Sequence, residues 1–415
     1  MRWWLAIVLV GVLTVGGTLL GLGLLEAGFR VYHFVHPSNA RGFFWEPYAP
    51  YGWRHPPGHT GLWYDDHGEF KTTVRINSKG LRDVEHAYEK PPGVFRILIL
   101  GDSYMEALQV ELEQSFPRLL EQELNQHSSE RIEVINSGVA SWGTDNELLY
   151  FRKEGYKYHP DLVLLAFMTG NDVRESYEPF NRKSPRANLT KPYFTLDGNG
   201  MLQMHPGEPA PPPLPWWRKL YIGEYLYERL GGRILIGGPP RGVPPPRDPH
   251  VPWVPWDMLV YAPQYSPEVQ MAWRVDEALL KTLRNEVVAH GAKFAVMVVN
   301  GPWAHYDLDW RRMMGRNPMA LRTWDRRRPN RVIGAFLWKE HIPSADLFDA
   351  FEAAKDKGRL FYRFDPHWTA AGHRLAANTA AQFLLSKGLV PGEHLHTQAP
   401  PGNVCGKSEA REPNE

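Results

Sequence analysis

From Phe95 onward short apolar runs alternate with amphipathic stretches, and that alternation restricts the chain to a parallel sheet covered by helices on both faces. Arg96-Ile97-Leu98-Ile99-Leu100 reads as a first strand ending at Gly101, followed by a helix over residues 116–124 with Pro117 in its first turn. Residues 132–135 read as a second strand, 146–155 as a helix and 162–167 as a third strand buried on both sides. After a gap the alternation resumes with a helix over 267–290, a strand over 293–299, a helix over 330–339 and an apolar run over 342–347. A last helix is predicted over 369–386, with Thr369 as its N-cap.

The N-terminus sets a second constraint. From Trp3 to Leu25 the chain carries no charge, and about 20 such residues span the ~30 Å hydrocarbon core of a bilayer as a helix. The run exceeds the ~7–15 residues of a signal-peptide core and lacks a clear small-x-small cleavage site, so we read an uncleaved anchor. Arg2 before it and Glu26 after it place the N-terminus in the cytoplasm, making a single-pass protein of the cytoplasmic membrane with an extracytoplasmic main domain. The expected organisation is a tail and anchor over 1–28, an irregular lead-in with one β-hairpin over 29–94, the main domain over 95–390 and a polar, disordered tail over 391–415. The hairpin is read from residues 62–76 around the turn Asp65-Asp66-His67-Gly68.

The main domain is interrupted over about 174–266 by a segment dense in proline, with Trp216, Trp217, Trp253 and Trp256 in it. Residues 216–235 fit one amphipathic helix, read as a lid or docking helix, with a membrane-surface helix as the sharper alternative. The four tryptophans suit either stacking on sugar rings or plain packing. With 47 Lys+Arg against 46 Asp+Glu no global field argues for nucleic acid. The one cysteine, Cys405, excludes an intramolecular disulfide framework and a cysteine-based metal cluster.

Chemistry concentrates at the predicted strand ends. Gly101-Asp102-Ser103 follows the first strand, Asn136-Ser137-Gly138 and Ser141-Trp142-Gly143-Thr144 the second, and Thr169-Gly170-Asn171-Asp172 the third. Ligand loops of open α/β sheets lie beyond these carboxyl ends. Glycine lets the backbone approach closely and an asparagine amide supplies a donor, as an oxyanion site requires. Just before the last helix stands Asp365-Pro366-His367-Trp368-Thr369. Two residues apart in an extended loop, Asp365 and His367 face one side, so the carboxylate can fix the imidazole tautomer that accepts a serine proton. His373 reads as a structural partner and Asp102 as a stabiliser of the serine turn, while Asp172 either orients Asn171 or caps the next segment. His55 and His59 flank Pro56-Pro57-Gly58, which argues against a helical metal pair. Arg326-Arg327-Arg328 reads as a solvated helix start, with anionic glycan binding as the alternative. No cofactor and no metal are expected.

With these blocks in order over residues 95–388, the chain resembles the SGNH (GDSL-type) serine hydrolase superfamily. The resemblance implies a three-layer α/β/α sandwich on a flavodoxin-like parallel sheet, with Ser103 as nucleophile and His367 as general base. It implies oxyanion donors at Ser103, Gly138 and Asn171. Asn77-Ser78-Lys79-Gly80-Leu81-Arg82, and His367-Trp368-Thr369 followed by Gly372-His373, resemble a bacterial envelope branch whose members carry one N-terminal hydrophobic helix. Two departures stand out. Asp365 lies two residues before the histidine rather than three, similar to the branch of the alginate O-acetylation proteins. The second block reads Gly138-Val139-Ala140-Ser141, where similar sequences often have another glycine in the last place. The expected activity is an extracytoplasmic serine esterase acting on O-acyl, chiefly acetyl, esters of a small molecule or glycan. The alternatives are an O-acyltransferase modifying an envelope glycan and a non-catalytic glycan-binding or assembly module.

Overall fold

Helix α1 (Arg2–Val35) continues past the anchor's expected end at residue 28, and Arg30 pairs with Glu26 one turn back. Its segment Ala6–Val31 contains an 18-residue window with a mean hydropathy of 2.3 and is long and apolar enough to cross a membrane. The computed structural model describes residues 2–35, 44–181, 191–207, 220, 222, 254–314, 317–356 and 358–392.

The lead-in holds two hairpins where the sequence predicts one. Strands β1 (Glu46–Tyr48) and β2 (Gly52–Arg54) pair antiparallel, with Pro47 opposite Trp53. Strands β3 (Thr60–Tyr64) and β4 (Lys71–Arg75) form the predicted hairpin. Its turn closes on Asp65, whose carboxylate accepts the amides of His67, Glu69 and Phe70. Alternate residues Thr72 and Val74 of β4 point inward, and Val74 joins Phe44, Trp63, Phe70, Ile76 and Leu108 in a small core of their own.

In the main domain the chain runs β5 (Val94–Gly101), α2 (Ser103–Glu106), α3 (Phe116–His127), β6 (Arg131–Asn136), α4 (Thr144–Lys153), β7 (Leu162–Met168) and α5 (Asp172–Glu175). A hairpin of β8 (Tyr193–Leu196) and β9 (Leu202–His205) follows, inside the segment read as irregular. Then come α6 (Pro267–Ala289), β10 (Lys293–Val299), α7 (Arg328–Lys339), β11 (Ser344–Asp346), α8 (Phe348–Ala354) and α9 (Ala370–Ser386). The five sheet strands are all parallel in the order β11-β10-β7-β5-β6, the flavodoxin-like arrangement.

Period-two alternation sorts each fully buried strand into two cores. Leu98, Leu100, Leu165 and Val296 pack with Leu148 of α4, Leu279 of α6 and Leu337 of α7. Ile97, Ile99, Leu164 and Met297 pack on the opposite face with Leu120 of α3 and Ala377 and Leu384 of α9. This is a three-layer α/β/α sandwich. Of the proline-rich segment, Trp256 lies in a single 3-10 turn (Trp256–Tyr261) packed against the first core. Trp216, Trp217 and Trp253, the predicted helix over 216–235 and Cys405 lie outside the described residues.

Candidate active site

The direction of winding reverses between β5 and β7, so the loops after these neighbouring strands diverge and leave a crevice. Ser103 follows β5 and Asn171 follows β7, which explains why residues far apart in sequence meet. Ser103 is also the first residue of α2, with Asp102 as the N-cap accepting the Tyr104 amide at 2.9 Å.

His367 reaches this point from the loop before α9. Its Nε2 lies 2.8 Å from Ser103 Oγ and its Nδ1 2.5 Å from Asp365 Oδ1. Asp365 Oδ1 also accepts the backbone N–H of His367 at 2.9 Å, which is how a two-residue offset closes. With the Nδ1 proton donated to Asp365, Nε2 is left to accept the serine proton. Burial works against charge on both partners. Around Asp365 the His367 ring and its hydrogen bonds outweigh burial and hold the carboxyl below its ordinary range. For His367 burial lowers the pKa, but the Asp365 carboxylate outweighs it and leaves the imidazole above its usual 6.5.

The oxyanion side differs from the sequence-based expectation at one position. The Gly138 N–H is already donated to Asn136 Oδ1 at 3.0 Å. A Cβ at Gly138 would lie 2.5 Å from Met105 Cβ and 2.6 Å from the Glu106 nitrogen, so this glycine serves close packing beneath α2. It does not line the cavity. Ser141 lines the cavity beside Ser103 and has a φ of 61°, the left-handed conformation that glycine adopts without strain. That conformation is the physical reason a glycine suits this place in similar sequences. The Asn171 Nδ2 donates to Asp102 Oδ2 at 2.9 Å, which fixes the amide and leaves its second hydrogen. Asp102 therefore orients Asn171 as well as the serine turn, and burial pushes its carboxyl up to about 6. Asp172 closes the turn after β7 by accepting the Met168 amide at 2.8 Å.

The residues that sequence reasoning missed come mainly from the lead-in. A cavity of about 560 Å³ opens over Ser103 and His367, and Trp45, Trp53 and Trp63 form one side of it. Glu106, one turn beyond Ser103, accepts the Trp45 indole N–H at 2.7 Å and the Ala140 amide at 3.0 Å, tying that wall to the Ser141 turn. The Asn77 to Arg82 segment explains itself here. Asn77 Oδ1 caps a tight turn by accepting the amides of Lys79 and Leu81, and the buried Arg82 guanidinium donates to the carbonyls of Glu106 and Val110. Asp83 then accepts the Asn136 amide at 2.8 Å. One motif thus braces both the serine loop and the end of β6.

The same hairpin holds the histidine loop. Glu69 accepts the backbone N–H groups of Arg363 and Phe364, one on each oxygen and both at 2.7 Å, while Tyr104 donates to the Pro366 carbonyl at 2.8 Å. Glu69→Gln replaces one acceptor by a donor. A hydrogen bond to a charged group contributes about 1.5–3 kcal/mol, so kcat for any turnover at Ser103 is expected to fall roughly tenfold with KM nearly unchanged. Steady-state kinetics check this, with Glu69→Asp recovering part of the loss; an unchanged kcat would remove Glu69 from the account.

The remaining sequence candidates take structural places. His373 Nδ1 accepts the Phe116 amide at the start of α3, and burial lowers its pKa to about 3. Thr369 caps α9 as predicted, accepting the Gly372 amide at 3.3 Å. His55 donates from Nδ1 to the Phe44 carbonyl at 2.7 Å, and His59 packs edge-on against the Phe44 ring. Arg326 and Arg327 pair with Asp307 and Asp349, and Arg328 lies over the Tyr265 ring.

Comparison with known proteins adds three findings. Residues 265–406 match the family model described as "SGNH hydrolase-like domain, acetyltransferase AlgX", and the matched span includes Asp365 and His367. An arylesterase of Vibrio mimicus is 30% identical over 105 residues, which is 25% of this chain and half the length of that relative. Among solved structures, TesA aligns with 71% of this chain and 99% of its own at 14% identity and a TM-score of 0.37. A catalytic mutant of Axe2, an acetylxylan esterase from Geobacillus stearothermophilus, aligns with 70% of this chain and 94% of its own at 12% identity and a TM-score of 0.36.

Proposed function

We propose that this chain is a serine enzyme of acyl transfer, acting on O-acyl, chiefly acetyl, esters through an acyl-Ser103 intermediate, a reading that the match of residues 265–406 to the family model described as "SGNH hydrolase-like domain, acetyltransferase AlgX" supports. The observation that carries this reading is the continuous relay from Ser103 Oγ through His367 to Asp365, at 2.8 and 2.5 Å. Ser103 Oγ attacks the ester carbonyl carbon as His367 Nε2 takes its proton. The bond from carbonyl carbon to leaving oxygen then breaks, and His367 returns the proton to the departing alcohol. The N–H groups of Ser103 and Ser141 and the second Asn171 amide hydrogen are the donors for the transient oxyanion. Water entering against the acyl-serine, with His367 again as base, releases the acid and restores Ser103. The apolar helix α1 supports a membrane-anchored enzyme.

A second reading replaces water by a sugar hydroxyl, giving an O-acyltransferase on an envelope glycan. The match of residues 265–406 to a family described as an acetyltransferase favours it. One experiment separates the two. Full-length protein in detergent is given p-nitrophenyl acetate with and without a neutral oligosaccharide, and products are followed by p-nitrophenol absorbance and mass spectrometry. An esterase gives acetate at a rate the sugar leaves alone; a transferase gives acetylated sugar and a faster p-nitrophenol release. Absence of any enzymatic rate together with absence of acyl-Ser103 would leave only a non-catalytic module.

A further inference from the structure

The cavity over Ser103 has a composition that the acyl-transfer chemistry alone does not require. Four aromatic rings line it: Trp45, Trp53, Trp63 and Phe364. Two of the indoles have their N–H groups directed into the protein, Trp45 to Glu106 at 2.7 Å and Trp53 to the Ala140 carbonyl at 2.9 Å. That fixes their planes and leaves carbon surface toward the cavity. Trp63 buttresses Trp45 edge to face at 5.8 Å, and Phe364, 53% exposed at the rim, is stacked on His67 at 4.0 Å. These rings are held before any ligand arrives.

The same wall carries acidic groups. Glu106 and Asp365 contribute carboxylates, while no lysine or arginine is among the described lining residues. Gln109, 96% buried, lines the cavity beside His367, with its Nε2 3.0 Å from His367 Nδ1. The Glu106 carboxylate offers an acceptor, so a ligand that brings hydroxyl donors is favoured over an alkyl or aryl ester that brings none. A ligand bearing its own carboxylate or phosphate would meet the Glu106 carboxylate, with the His367 imidazole already held by Asp365 and no lysine or arginine among the described lining residues.

We propose that this cavity is a subsite for an uncharged acylated pyranose, its C–H face against Trp45 and Phe364 and its hydroxyls donated to Glu106, and that it discriminates against acylated uronates. The proposal rests on the acyl-transfer reading for its catalytic arm, while its binding arm stands apart. The lead-in, outside the residues matched by the family model, supplies three of the four rings.

The test has two arms on the full-length protein in detergent. First, Ser103→Ala protein is titrated by calorimetry with methyl 2-O-acetyl-glucopyranoside and with the matching 2-O-acetyl-glucopyranosiduronate. Saturable binding of the neutral ester, at least about tenfold tighter than the uronate, is expected from the charge complement. Equal or tighter uronate binding, or no binding of the neutral ester, overturns the proposal whatever the catalytic result. Second, wild type and Phe364→Ala are compared on the neutral sugar ester and on p-nitrophenyl acetate. The ratio of the two kcat/KM values is expected to fall about tenfold in Phe364→Ala. An unchanged ratio overturns the stacked pose. A protein that binds the neutral sugar yet turns over neither ester refutes the catalytic reading and leaves the subsite standing.

Discussion

Replacing Ser103 with alanine is expected to lower the background-subtracted rate of p-nitrophenyl acetate hydrolysis by roughly 10⁴-fold or more, because the chemical step loses its nucleophile. His367→Ala is expected to cost about as much, since without a proton acceptor 2.8 Å away the Ser103 hydroxyl stays protonated at neutral pH. The informative result is the double variant. Groups that act as one unit are strongly non-additive, so Ser103→Ala/His367→Ala should be no slower than either single variant. Independent contributions, with the two losses multiplying, would contradict a shared proton-transfer step. Neither substitution touches the packing of the sheet, and both variants should melt within a few degrees of wild type.

The second large effect concerns Asp365. Asp365→Asn keeps the shape but offers no charge to the imidazole, and loss of an orienting carboxylate of this kind costs about 10⁴ in kcat. The pH dependence gives the sign. Neutral His367 is the reactive form, and the Asp365 carboxylate holds its pKa above 6.5, so activity should rise with pH through a midpoint above that value. Removing the carboxylate leaves burial as the dominant influence, and burial lowers a histidine pKa. The residual activity of Asp365→Asn should therefore show its acid limb at lower pH than wild type, on a much lower plateau. A limb that stays in place while kcat falls would mean that Asp365 acts by geometry alone.

Much of this was legible in the chain because the sheet is buried on both faces. The apolar runs at residues 96–100, 132–135, 162–167 and 293–299 fall within strands β5, β6, β7 and β10, whose ends differ by no more than a residue or two. The last strand is shorter than its apolar run, since only Ser344–Asp346 pairs with β10 at the sheet edge. Hairpin β1–β2 was not legible. Its strands have three residues each and one contains Pro47, which argues locally against a strand and is tolerated because both strands lie outside the main sheet.

The site divides along the same line. Ser103, Asn171 and His367 stand at predicted element boundaries, so secondary structure alone brings them to one end of the sheet. At Gly138 a glycine can serve close packing or donation, and the close approach of Met105 and the N–H donated to Asn136 depend on tertiary contact that the sequence does not display. The other determinants depend on long-range contact. Trp45 and Glu106 lie 61 residues apart, Gln109 and His367 258, and Glu69 and Arg363 294. No periodicity or local spacing encodes such pairs; they follow from the lead-in folding back across the carboxyl ends of the strands. The one local signal was the abnormal place of Ser141, where a left-handed residue stands in a position suited to glycine.

The most direct test of the central claim is covalent. Full-length protein and its Ser103→Ala variant are treated with a fluorophosphonate, digested and mapped by mass spectrometry. The account predicts a single phosphonyl adduct on the peptide containing Ser103 in wild type, none in the variant, and slower labelling in His367→Ala. No adduct on Ser103, or labelling at another residue that survives Ser103→Ala, would contradict it.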